Sequence, residues 1–375
     1  MTKFSLTEIP AIECAPGAMM KLVKRVKSDG QVLIVADPAM EGLGHLERLT
    51  DALKSTGANV ESFTDIVSDP KESAVNKAIS TCSSPDTVIA LGGGSTMDAA
   101  KVIASLISTG EKCEDYRMAA KRLPSRRTTL IAVPTTAGTG SEATNISVLT
   151  SDEGVKYWYA ARGQEPNHII IDPELFVDLP AFLTAATGCD ALVHAVEAST
   201  NVHATNANSI FAHEAIRRTL FALPKVISEP GNLDLRAEMA FAATLAGIAI
   251  NNAGTAIAHA IGHALASLSP MHHGLSVTLG LGASLPILTK ENTLFDDIAP
   301  LFGVSKRGDI AQAFDDFVMA TGLNLSHYAS GVSPADLAAQ MIKPENMAML
   351  NSTKLEPTDE MLLEISEATL AYTRG

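Results

Sequence analysis

The amino-acid sequence predicts an α/β domain built on a parallel sheet, followed by a second domain that is nearly all helical. Three observations lead there. From about residue 31 to 175, short branched-aliphatic runs alternate with amphipathic stretches, the pattern of a parallel sheet covered on both faces. From about residue 180 the strand signals fade into long helical periodicities. The chain has 375 residues, and at the usual ~100 to 200 residues per domain two domains are expected. The boundary falls near Pro180, giving domains of residues 1–180 and 181–375 with no low-complexity linker between them.

Taken in order, QVLIVAD, ANVESF, TVIALGGG, TLIAVPTT and HIIID read as strands, each short, branched-aliphatic and bounded by turn formers. Between them LERLTDALKSTG, ESAVNKAISTC and MDAAKVIASLISTG carry helical spacing, two of them closing on glycine. Beyond residue 180, PAFLTAATGCDALVHAVEAST, NSIFAHEAIRRTLFALPKVI, RAEMAFAATLAGIAINN and AIAHAIGHALASL read as helices.

Composition narrows the function classes. Apolar residues make up 46%, charged residues 19%, and glycine and proline together 44 positions, which excludes disordered, collagenous and coiled-coil proteins. The most apolar stretches stop short of the ~18 residues that span a bilayer. With 28 basic against 42 acidic residues the net charge is -14, a field that repels phosphate backbones and anionic lipid, so no nucleic-acid or membrane partner is expected. Cys14, Cys82, Cys113 and Cys189 are scattered without a CxxC, as in a reducing cytoplasm, and the amino terminus reads as no secretion signal.

Three segments point to a bound dinucleotide. The strand VIAL runs into Gly92-Gly93-Gly94-Ser95-Thr96 and then a helix, so backbone amides and a helix amino terminus can meet a phosphate. The spacing is not GxGxxG, and a plain strand-to-helix turn is the competing reading. Asp37, closing the strand QVLIVAD, can accept both hydroxyls of a ribose and would repel a 2'-phosphate, favouring NAD over NADP; its competing role is a turn cap. A third loop, Pro134 to Glu142, is crowded with small and hydroxyl residues that can wrap a cofactor.

Four of the ten histidines fall between residues 259 and 273: His259, His263, His272 and His273. His259 and His263 share a helix face, and Asp190 and His194 repeat that spacing on an earlier helix, so two helices can close on one divalent ion. One carboxylate with several imidazoles and no thiolate suits Fe(II) or Zn(II). Cys189 points about a quarter-turn away from Asp190 and reads as packing. His45, His168, His203, His213 and His327 stand apart, in structural or surface roles.

GGGSTMDAAK, VPTTAGTGSEATN, DPEL with ATGCDALVHAVEAS, and AHAIGHAL with HHG together resemble the iron-containing (group III) metal-dependent alcohol dehydrogenase family, in family order from residue 31 to 275. The resemblance implies a dinucleotide-binding α/β domain, a helical metal-binding domain of the dehydroquinate synthase-like fold, NAD, one divalent metal and a homodimer. It places the metal ligands on Asp190, His194, His259 and His273, with His263 as a catalytic residue near the metal. Cofactor contacts fall on Asp37, Asp69, Gly93, Gly94, Ser95, Thr135, Thr136, Thr139, Thr144 and Lys156. Two positions depart from the family pattern: Asp69 stands where Asn is usual, and His272 precedes the His-Gly pair where Pro is usual.

The expected reaction is hydride transfer between NAD and a primary alcohol, including polar and sugar-acid alcohols, with a small-molecule alcohol or aldehyde as substrate. A zinc polyol dehydrogenase of the glycerol type and a dehydroquinate synthase-like lyase are the alternatives. Arg162, at the end of the aromatic segment KYWYAAR, can pair with a substrate carboxylate; an exposed cross-strand surface is the competing reading.

Overall fold

The computed structural model describes residues 4–160, 162–325, 331–355 and 357–374, so His327 lies outside the described residues. Its strands are β1 (Ala11–Cys14), β2 (Gln31–Ala36), β3 (Asn59–Phe63), β4 (Thr87–Gly92), β5 (Thr129–Pro134), β6 (Ile146–Thr150), β7 (Lys156–Ala160) and β8 (His168–Ile171). Six of them form one sheet in the order β1-β8-β5-β4-β2-β3, with every neighbouring pair parallel. Parallel strands are buried on both faces. Accordingly all six residues of β4 are buried, as are five of six in β2 and β5.

Among the described residues, helices of eight or more are α1 (His45–Ser55), α2 (Glu72–Thr81), α3 (Gly94–Leu106), α4 (Ala181–Thr200), α5 (Asn206–Ser228), α6 (Leu233–Ala253), α7 (Ile257–Leu268), α8 (His273–Glu291), α9 (Ile310–Ala320), α10 (Pro334–Met341) and α11 (Asp359–Arg374). The chain forms two compact units, residues 7–136 with 140–178 and residues 179–375 with 1–6 and 137–139. No single helix among the described residues is long and apolar enough to cross a membrane.

The five expected strands are present, and three further ones appear. β1 escapes sequence reading because AIEC is short and half exposed at the sheet edge. β6 and β7 form a separate antiparallel hairpin, so residues 156–160 are a strand. The hairpin is held by Glu72, buried at 3% exposure, which accepts hydrogen bonds from Arg117 Nε at 2.7 Å and from the Tyr159 hydroxyl. The Tyr157 ring lies 4.4 Å below the Arg117 guanidinium.

In the sheet, β3 and β4 flank β2 on opposite sides. A ligand crevice is expected outside the carboxyl ends of strands where the order reverses, here β2 and β4. α3 begins at Gly94, three residues before the Met97 start read from the sequence, so Gly94, Ser95 and Thr96 form its first turn and Gly93 is the cap. The glycine run is therefore a helix amino terminus with little loop before it.

In the helical unit, every residue of α4 from Thr184 to Thr200 is buried, which makes it the central helix. α5 starts on a reciprocal cap between Thr205 and Asn208, and Asn232 caps α6 through Leu235 N. α7 and α8 cross closely because glycine stands at the crossing. A Cβ on Gly280 would lie 2.5 Å from the Ala258 carbonyl oxygen, next to His259. Gly280→Ala is therefore expected to cost about 1–3 kcal/mol by overpacking and to lower Tm by roughly 3–10 °C. Thermal unfolding followed by circular dichroism checks this; an unchanged Tm would show that the crossing has slack.

Candidate metal centre

Residues i, i+4 and i+7 share a helix face, and α4 presents Asp190, His194 and Glu197 on one such face. His259 sits in the first turn of α7, and His273 is the first residue of α8. Asp190, His194 and His259 are 1%, 5% and 3% exposed, and His273 is half-buried. One ligand atom from each of the four lies within 4.8 Å of all the others.

The separations fit a cation. Asp190 Oδ1 lies 3.6 Å from His194 Nδ1, 3.9 Å from His259 Nε2 and 3.7 Å from His273 Nε2; the other His194 nitrogen, Nε2, is in hydrogen-bond contact with His259 Nε2 at 2.9 Å. Tetrahedral bonds of ~2.0–2.1 Å put ligand atoms about 3.3–3.5 Å apart. Asp190 Oδ1 and His194 Nδ1 are buried without a hydrogen-bond partner. A buried carboxylate oxygen surrounded by nitrogen lone pairs is costly unless something positive joins them.

The electrostatics agree. Burial pushes the Asp190 carboxyl up to about 7, with His259 opposing and Glu197 reinforcing the shift. Burial, with His259 nearby, holds His194 well below the ordinary imidazole value. For His259 burial also pulls downward, but the Glu197 charge and hydrogen bond outweigh it and its pKa is raised. His259 Nδ1–H donates to Glu197 Oε2 at 2.6 Å, and a carboxylate only accepts, so in the neutral ring Nε2 carries the lone pair that can face a cation.

Two neighbouring histidines have different surroundings. The His272 ring turns back on its own chain, where Nδ1 accepts from Gly274 N at 3.2 Å as a cap of α8, and its edge meets Phe182. The His263 ring stands 5.4 Å from His273 and 6.2 Å from His259, centroid to centroid, and is half-buried.

In the α/β unit, the expected cofactor positions Asp37 and Thr135 align at the carboxyl edge of the sheet. Asp37 N donates to Leu91 O at 2.9 Å and Thr135 N to Gly92 O at 2.9 Å, continuing the register past the strand ends. Asp37 Oδ1 accepts from Ala39 N at 2.9 Å, so the turn-cap role is present. Gly92 has to be glycine: a Cβ there would meet Thr96 Oγ1 at 2.4 Å and Asp37 Cβ at 2.9 Å. Gly93, Gly94 and Ser95 are half-buried at the start of α3, and Thr136 lies against Gly93.

The family models match in two blocks: iron-containing alcohol dehydrogenase over residues 10–173, and the carboxyl-terminal part of the Fe-containing alcohol dehydrogenase family over residues 184–369. The chain belongs to the iron-containing alcohol dehydrogenase family. It is 31% identical to the NAD-dependent methanol dehydrogenase of Bacillus methanolicus over 95% of this chain and 94% of that one. With the long-chain-alcohol dehydrogenase 1 of Geobacillus thermodenitrificans it shares 36% identity over 69% of this chain and 67% of that one. Among solved structures, the sulfoacetaldehyde reductase of Bifidobacterium kashiwanohense in complex with NAD+ superposes with a TM-score of 0.89 at 27% identity, covering 99% of this chain and 100% of that one. The chain is thus an oxidoreductase of the metal-dependent, NAD-linked alcohol dehydrogenase class.

Within this iron-containing dehydrogenase fold, some expected residues stand elsewhere than the site. Arg162 is exposed beyond the far end of β7 from Lys156, in the turn that leads into the amino end of β8. Arg126 bonds the adjacent Gln164 and Glu165 carbonyls beside the start of β5. Ligands of such sheets bind at the opposite, carboxyl edge, so Arg162 is not carried further as a substrate contact. Thr144 is buried, with its hydroxyl 3.0 Å from Lys101 Nζ, and so supports the loop. Lys156 and Asp69 pair with each other at 2.6 Å, and Asp69 sits at φ 54, a left-handed conformation that Asp and Asn tolerate.

Sequence reasoning missed Glu197 and the Lys101–Asp98 pair. Lys101, 1% exposed on α3, lies 3.2 Å from Asp98 Oδ1 and within hydrogen-bond reach of Ser141 O, Ser141 Oγ and the Ile146 carbonyl. Burial lowers its pKa while Asp98 opposes the shift. This ammonium ties the loop of residues 141–146 to α3. Lys101→Met removes the cation paired with Asp98, which keeps only its neutral donors Ser141 Oγ and Val148 N, and breaking a buried pair costs about 3–5 kcal/mol. The expected outcome is a lower urea midpoint with an unchanged m value; an unchanged midpoint contradicts this role.

Proposed function

We propose that this enzyme interconverts a primary alcohol and its aldehyde, with Asp190, His194, His259 and His273 holding one divalent cation. The observation that carries the assignment is the partnerless, buried Oδ1 of Asp190, 3.6–3.9 Å from nitrogens of three histidines. The donor set accepts Fe(II) or Zn(II), and Fe(II) is the ion proposed from the family. In this reading residues 1–180 carry NAD and residues 181–375 carry the metal.

What the bound ion supplies is Lewis acidity at the alcohol or carbonyl oxygen, and what NAD supplies is a carbon that takes or gives hydride. The protein's own residues do the rest. Amides at Gly93, Gly94 and Ser95, at the positive end of α3, receive the pyrophosphate. The Asp37 carboxylate takes a ribose, and Thr135, Thr136 and Thr139 line the cofactor. Lys156, steadied by Asp69, reaches the nicotinamide ribose. His263, half-buried beside His273, passes the alcohol proton to solvent while the carbinol hydrogen leaves as hydride, giving aldehyde and NADH. No basic patch is needed for NAD, since neutral amides hold its phosphates.

A primary alcohol or aldehyde fits the relatives, whose names give methanol, long-chain alcohols and sulfoacetaldehyde. A homodimer in the cytoplasm completes the proposal. A panel of alcohols and aldehydes followed by NADH absorbance, with metal content measured on the same samples, tests it. Net NADH formation from a simple alcohol also separates a dehydrogenase from a lyase that uses NAD catalytically.

His259→Ala is expected to lose metal and turnover together, by more than the ~10–100-fold that follows loss of an outer partner of a ligand. A metal-free His259→Ala protein with full activity would sink the assignment.

A further inference from the structure

Glu197 is buried at 3% exposure, yet one carboxylate gathers four N–H groups. Its Oε2 accepts from Ala256 N at 2.9 Å and from His259 Nδ1 at 2.6 Å. Its Oε1 accepts from Ala258 N at 2.6 Å and His259 N at 3.3 Å. α7 begins on Ala256, which has no side-chain oxygen to cap the first turn, so Glu197 from α4 fills that role across the helix pair. The carboxylate also stands at the amino-terminal, positive end of α7.

A plain helix cap would need only the backbone donors. The additional bond to Nδ1 is what links the cap to the centre, because it decides which ring nitrogen of His259 carries the proton. We propose that Glu197 is a positioning residue for the metal: it fixes the start of α7 and holds His259 with its Nε2 lone pair directed at the cation. This rests on the reading above that His259 is a ligand.

The donor set requires a carboxylate. In a glutamine, an NH2 at the Oε1 place would face the Ala258 and His259 N–H groups. At the Oε2 place it would face Ala256 N–H and force His259 Nδ1 to accept, which moves the ring proton to Nε2, the ligating atom. Either placement sets donor against donor. Glu197→Asp keeps an acceptor-only group but withdraws it by one methylene.

Co(II) titration of the metal-free protein, read by the d–d absorption of the bound ion, tests this without reference to turnover. Glu197→Gln is expected to weaken Co(II) binding by ~10–100-fold and to change the d–d spectrum, with Glu197→Asp falling between it and wild type. Wild-type affinity and spectrum in Glu197→Gln overturn the proposal and leave the ligand assignment standing. A wild-type protein that binds no Co(II) overturns both. If Glu197→Gln does not fold, Glu197→Asp decides alone: native circular dichroism with weaker Co(II) binding supports the role, and wild-type binding refutes it.

Discussion

The carboxylate of Asp190 is buried in the middle of α4 with one oxygen that finds no hydrogen-bond donor, and the surrounding architecture answers to that fact. An isolated buried charge is among the most costly features a fold can contain. Here Asp190 Oδ1 faces nitrogens of three imidazoles at 3.6–3.9 Å, and a nitrogen lone pair cannot relieve a carboxylate unless a proton or a cation joins the group. The rise of Asp190 to about 7 and the fall of His194 both express this, since burial and the crowding of the group drive each toward its neutral form.

Meeting that constraint takes three helices from separate stretches of the chain. α4 supplies Asp190 and His194 one turn apart, α7 supplies His259 in its first turn, and α8 begins on His273. Their approach depends on small residues. Gly274 comes so close to the Ala186 carbonyl that a Cβ would sit 2.2 Å from it, and Gly280 is as confined against α7. Glu197 then spends a second buried carboxylate on the start of α7, satisfying the amides that a helix beginning at alanine leaves open. The close approaches at Gly274 and Gly280 thus bring the helices that carry the four residues together.

Much of this was legible in the sequence. The alternation of aliphatic strands and amphipathic helices gave the parallel sheet because buried strands advertise themselves, and the 190/194 and 259/263 spacings placed the candidate ligands Asp190, His194 and His259 on two helix faces. What stayed hidden had physical reasons. Glu197 and Lys101 look like solvent-facing charges on helices, and only tertiary packing reveals that each is buried and satisfied by backbone groups distant in sequence. The strand AIEC is too short for periodicity to register. Arg162 follows three aromatics in the sequence, but Tyr157 and Tyr159 turn toward Arg117 and Glu72, and Arg162 stands in the exposed turn that leads into the amino end of β8. His272 and His273 could not be told apart by type; the backbone at the start of α8 separates them, turning the first into a cap.

If the unsatisfied Asp190 is the feature that the centre is built around, the wild-type protein should be most sensitive to the presence of a cation. Thermal unfolding of the metal-stripped protein, repeated with Fe(II) under anaerobic conditions or with Zn(II), tests this directly. The account predicts a saturable rise at one ion per chain, by about 5–10 °C when the free ion stands near 100 times its Kd. An unchanged Tm across the titration would contradict it.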